Sequence, residues 1–240
     1  MKTVLFVATA ASAVVASADA GFLGFVASSR NVGAYTVIDV FAGVSNASDK
    51  FLNVYNTASN GAYYQAAGMT SKSWKPDAAG FTSTRNSIDS FMTAGTFSGG
   101  SYGGDFYASA NTNGDPNFTG TSWNTTPGAA AASTIPALAG WYTGDPTSVD
   151  NTAESLAGLV GRSNASGAAS ANYGIWCSHL VLSGNNKVIG TDFTFGAFAS
   201  IKDGITGATS QSGSSFPAVP APGAIALVCI AGFASRRRSA

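Results

Sequence analysis

YGIWCSHLVL at 173–182 and VIGTDFTFGAFA at 188–199, joined across Ser183-Gly184-Asn185-Asn186, are two apolar runs on either side of a turn signal. In the second, Ile189, Phe193, Phe195 and Ala197 alternate with Gly190, Asp192, Thr194 and Gly196, the period of two that marks a half-buried strand. The first is rich in β-branched and aromatic residues, and the Gly-Asn step between them suits a turn, so the two read as a strand pair.

The same pattern recurs outward from this pair. Tyr35–Val44 places Ile38, Val40, Ala42 and Val44 on one face and Tyr35, Val37, Asp39 and Phe41 on the other, which predicts a central strand apolar on both sides. Phe51–Tyr55 and Ala62–Gln65 flank an Asn60-Gly61 step and read as a hairpin. Ile88, Met92 and Ala94 alternate with Asp89, Phe91 and Thr93 as a further strand, and Asp105–Ala108 follows a glycine turn. The Asn-, Thr- and Gly-rich region from Ala110 to Asp150, with Gly-Asp-Pro at 114–116 and 144–146, reads as long loops held to the core by Trp123 and Trp141. Asn151 with Glu154 three residues on, then Leu156, Leu159, Val160 and Gly161, predicts one short helix. These elements give an all-β fold, an antiparallel β-sandwich with jelly-roll winding suggested, one short helix and long loops.

Composition narrows the function classes. Charged residues are 10% of the chain, against about 25% in ordinary soluble domains. The 12 basic and 12 acidic residues cancel, but the central body, without Lys2, Asp19 and the arginines at 236–238, is mildly acidic. Its basic residues are scattered, so nothing in it offers nucleic acid an electrostatic footprint. Cys229 falls in an apolar C-terminal run, which leaves Cys177 as the one thiol of the body and predicts no structural disulfide. Cys177 reads as a buried small hydrophobe.

Both ends carry targeting patterns. A positive start at Met1-Lys2, an apolar stretch from Thr3 to Ala16 and the small residues of Ala18-Asp19-Ala20 form a secretory signal peptide over residues 1–20, cleaved before Gly21. Residues 21–210 form the β-rich extracellular domain, and 211–219 a polar Gly/Ser linker. The last segment, 220–240, holds prolines, the apolar run Ala224–Ala234 and Arg236-Arg237-Arg238. Eleven apolar residues in a helix span only about 16 Å against a hydrocarbon core of about 30 Å, so the segment suits a transient membrane hold better than a lasting transmembrane helix. The arginines resist translocation and act as a stop.

The order of the tail, Val219-Pro220-Ala221-Pro222-Gly223-Ala224, an apolar helix and then Arg236-Arg237-Arg238, resembles the PEP-CTERM sorting signals. Ala221 stands where the name-giving motif has glutamate. The resemblance implies a substrate of an exosortase-type transpeptidase, placed at the cell surface or in the extracellular matrix of a bacterium with a two-membrane envelope. The body also resembles the extracellular domains that precede such signals, through Tyr63-Tyr64-Gln65 and Asp89-Ser90-Phe91.

Candidate chemistry is sparse. His179 is the one histidine, which removes His-rich zinc sites. It lies two residues from Cys177, on the strand face shared by Tyr173, Ile175 and Val181, so a thiolate-imidazole pair is allowed by spacing, with no orienting acid identifiable in the sequence. Asp105, Asp115, Asp145, Asp150 and Glu154 are candidates for calcium or for a glycosidase carboxylate pair, although Asp beside Gly or Pro is ordinary turn chemistry. Trp123 and Trp141 are candidate glycan contacts if exposed. No catalytic residue, metal ligand or cofactor site is assigned. The sequence thus predicts an exported surface or matrix protein without enzymatic activity, handled by signal peptidase and an exosortase. The alternatives are a carbohydrate-binding module for extracellular polysaccharide and, behind it, a hydrolase.

Overall fold

The structure, a computed structural model, describes residues 21–66, 74–76, 87–96, 110–113, 134–148, 151, 153–165 and 167–216. Among these the strands are β1 (Phe22–Val32), β2 (Tyr35–Val44), β3 (Lys50–Ser59), β4 (Phe91–Met92), β5 (Ala110–Asn113), β6 (Gly140–Thr143), β7 (Glu154–Ser155), β8 (Ser163–Asn164), β9 (Tyr173–Ser183), β10 (Phe195–Lys202) and β11 (Thr209–Phe216). They form two sheets, one ordered β4-β9-β2-β1-β8 with β7 also on β9, the other β11-β10-β3-β6-β5. Every ladder between these strands is antiparallel. The fold is an all-β sandwich, as its alternating sequence implies. The β1–β2 and β10–β11 pairs are in-sheet hairpins, and β5 pairs antiparallel with β6 at the edge of the second sheet.

The core lies between the sheets because each central strand turns one apolar row inward. From β2 that row is Ile38, Val40, Ala42 and Val44, and from β10 it is Phe195, Ala197, Ala199 and Ile201. Phe25, Phe195, Phe193 and Trp141 join the two rows through a chain of ring contacts between 5.1 and 6.3 Å. The outer face of the first sheet is covered as well, so Phe41, Trp176, Phe91, Leu156 and Val26 form a second apolar cluster there. That is why β2 is apolar on both faces.

Several elements differ from the sequence reading. The 173–199 pair is split between the sheets. Asp192 accepts the Val188 N–H at 2.9 Å and the Lys187 ammonium at 3.1 Å, folding 188–194 into a compact loop that carries the chain across. The predicted hairpin at 51–65 is likewise a crossing. Asn60 accepts the Thr194 N–H at 2.9 Å, and Tyr63 then bridges to Leu182 in the first sheet. The 110–150 region is not loop throughout, since β5 and β6 pair at its two ends.

The helix predicted at 151–160 does not form over 153–160. Asn151 is buried, and its carboxamide pairs with the backbone N–H and C=O of Phe51, imitating a strand neighbour instead of capping a helix. Glu154 and Ser155 pair with β9, and Gly158 and Gly161 take φ of 79° and 55°, which no right-handed helix accepts. A three-residue 3-10 turn lies further on, at Ala168–Ser170. The predicted linker, 211–219, is corrected over its first half: Gln211–Ser215 lie within β11, paired along β10. The sandwich therefore continues to Phe216, whose side chain is buried opposite Phe195.

Candidate functional site

The strongest concentration of polar chemistry is at Asp39, in the middle of the apolar strand β2. Its cross-strand partner on β9 is His179, and Arg30 reaches it from β1. The carboxylate is fully buried. One oxygen accepts His179 Nδ1 at 2.6 Å and Trp176 Nε1 at 3.2 Å, and the other accepts Arg30 Nη1 at 2.6 Å. Burial alone pushes Asp39 toward the neutral acid, but His179 and then Arg30 outweigh it and hold the carboxyl below the usual aspartate range.

His179 is placed there by a β-bulge. The β2–β9 register shifts between Val40 and Phe41, leaving Cys177 as the extra residue on β9. Before the bulge, Ile175 and Cys177 face the inter-sheet core; after it, Leu180 and Leu182 do. His179 is thereby turned to the outer face with Trp176, stacked on Phe91 at 4.8 Å. The thiolate-imidazole pair that the spacing allowed is ruled out by this shift of parity, since two residues apart no longer means one face. Cys177 instead donates to the Val40 carbonyl at 3.1 Å, and burial pushes its thiol well up, out of the range of a reactive thiolate.

The pairing of a buried acid with a histidine Nδ1 is the orienting half of a nucleophilic triad. Among the described residues no nucleophile completes it. His179 is fully buried, and its Nε2 faces the Ser87 backbone carbonyl at 3.4 Å, an acceptor and not a nucleophile. The cluster ties the cover segment at Ser87 to β9, β2 and β1, a task of cohesion.

The two recurring triplets meet beside it. The Tyr64 carbonyl accepts from both the N–H and the hydroxyl of Ser90, the Gln65 amide donates to the Ser90 carbonyl at 3.2 Å, and Asp89 accepts the Ala66 N–H at 2.7 Å. Ser90 Oγ in turn accepts the Val181 N–H at 2.9 Å. Tyr63-Tyr64-Gln65 and Asp89-Ser90-Phe91 thus form one knot on β9. Sequence spacing gave no sign of it, because the triplets are joined through a third strand.

The other candidates separate. Trp141, a candidate glycan contact, is fully buried in the core against Phe195, which removes it as a sugar platform. Asp145 accepts the N–H and hydroxyl of Thr147, and these bonds hold its carboxyl below the usual range, as expected of a turn. Glu154 is in β7, and no group of three or more His, Cys, Asp or Glu among the described residues is arranged to hold a metal. Trp123, Asp105, Asp115, Asp150, Ala18, Ala20, Val219–Ala224 and Arg236–Arg238 lie outside the described residues. Asp39 and Arg30 went unnoticed in the sequence as a site; the available signal was a lone carboxylate inside the apolar run Thr36–Val44. No protein-family model, curated protein or solved structure matches the chain.

Proposed function

We propose that this chain is an exported cell-surface or matrix protein whose sandwich domain serves without catalysis and is sorted through its PEP-CTERM-like tail. The observation that carries the reading is the agreement of boundaries. β1 opens at Phe22, two residues after the Ala18-Asp19-Ala20 cleavage pattern, and β11 is paired along β10 as far as Phe216, the last described residue, ahead of Val219 and the tail motif. A domain with one targeting pattern set against each border is what delivery by signal peptidase and then exosortase requires. The closed Asp39–His179 cluster suits a domain built for persistence, since its acid and base are spent on each other and on the backbone.

The test is intact mass and cell fractionation of the protein from its producing bacterium and from a strain lacking the exosortase. Expected are a mature start at Gly21, and a tail trimmed in the first strain and retained in the second. A product that still begins near Met1, or a tail that stays intact in both strains, overturns the reading.

A further inference from the structure

The outer face of the second sheet is the one broad sheet face on which described aromatic side chains stand exposed. Phe198 is 40% exposed between the buried residues Ala197 and Ala199. Its cross-strand neighbour is Tyr55, and the rings stack at 5.5 Å with 30° between planes. Gly213 lies opposite Phe198 on β11, where an added Cβ would come within 3.1 Å of the ring. With Gly196 it leaves a groove of about 430 Å³ beside the aromatic pair.

Polar and charged groups follow in register along the same face. The next row holds Gln211, Ser200 and Asn53, outward by their pairing. Ser200 is buried, as is Asn53 Oδ1, so Gln211 is the side chain of this row that stands exposed. Beyond it Lys202 sits directly opposite Lys50. Like charges in that position repel. They border a second groove, of about 600 Å³, with Thr147 and Thr206. Asp203 also borders it, but its carboxylate is taken by the N–H groups of Ile205 and Thr206. Lys50 donates to the Ser148 carbonyl at 3.2 Å. The five strands of this sheet contain no Asp or Glu, and these two lysines are their only charged residues.

We infer that this face binds an acidic polysaccharide, with a sugar ring stacked on Phe198 and Tyr55, a hydroxyl bonded to the exposed Gln211, and a uronate carboxylate held between Lys50 and Lys202. The charge argument selects the class: two facing lysines outnumber the one carboxylate, Asp203, that borders their groove and favour an anionic group, while the aromatic pair and Gln211 suit rings bearing hydroxyls. From Gly196 to Lys202 the strand runs about 20 Å, room for several consecutive sugars. The inference extends the proposed surface role by naming a ligand, and solution binding is independent of how the chain is exported.

The test is calorimetry of the purified full-length chain with polygalacturonate and with uncharged dextran. Polygalacturonate should bind and weaken with added salt, and dextran should bind at least tenfold more weakly, about 1.4 kcal/mol. Phe198→Ala should lose about tenfold and Phe198→Tyr should keep binding. Lys50→Gln with Lys202→Gln should remove the preference for the acidic polymer. A melting curve for each variant separates lost contact from lost fold. Absence of polygalacturonate binding, equal affinity for dextran, or unchanged affinity in folded Phe198→Ala each overturns the assignment.

Discussion

Asp39 shows how one side chain organises its surroundings. An isolated carboxylate in an apolar interior is strongly unfavourable, and Asp39 is stable there because three neighbouring side chains each bond to it, one of them delivered by the bulge. Asp39→Asn keeps the shape but leaves Arg30 facing an amide in place of its counter-charge. The expected loss is about 3–5 kcal/mol, the usual consequence of breaking a buried pair from one side, read as a lower urea midpoint with unchanged slope. Asn151 is a second such residue, because its carboxamide meets both backbone groups of buried Phe51. Asn151→Ala should cost about 1–3 kcal/mol for each group left unsatisfied, whereas an Asn serving only as an exposed helix cap would cost about 1. Urea unfolding distinguishes the two.

At the scale of elements, β11 tests where the domain stops. Its sequence, TSQSGSSF, has no alternation and one β-branched residue, Thr209, and its strand form comes from its partner: eight residues pair in register with β10. Truncation after Phe216 should leave cooperative unfolding intact. Truncation after Ala208 should unprotect β10, expose Phe195 and Phe25, and give a protein that aggregates, seen by light scattering. A linker at 211–215 would make the two truncations alike. The same reasoning explains what the sequence made legible. β2 and β9 were readable because their own residues, β-branched and aromatic, suit a buried strand in any context. β1 and β11 are held by neighbours, so little in FLGFVASSRNV or TSQSGSSF announces them. The bulge at Cys177 and the crossing at Asn60-Gly61 are equally invisible, since each depends on which strand lies opposite. The Asp39–His179 site was hidden for that reason: both residues were in plain view, and only the register brings them together.

For the whole molecule, the depressed Asp39 carboxyl links stability to pH with a definite sign. His179 and Arg30, against the opposing effect of burial, make the folded protein release this proton more readily than the unfolded chain, whose aspartate has the ordinary value of 3.8. Its contribution is therefore fully present above about pH 5 and is lost as pH falls below 3.8 through the native value. Asp192, held down by the Val188 N–H and then Lys187, and Asp203, held down by the N–H groups of Thr206 and Ile205, act with the same sign. Urea unfolding at a series of pH values should give a nearly level midpoint from pH 7 to about 5 and a fall beneath about 4. Asp39→Asn supplies the internal control, since it lacks the titrating group: it should be less stable at neutral pH, and the gap to the native chain should narrow steadily through the acid range. A gap that instead widens as pH falls toward about 4 would mean that the group at position 39 is not ionised in the folded state. The buried cluster would then be a neutral hydrogen-bonded one, and its hold on the Ser87 cover would rest on shape rather than charge.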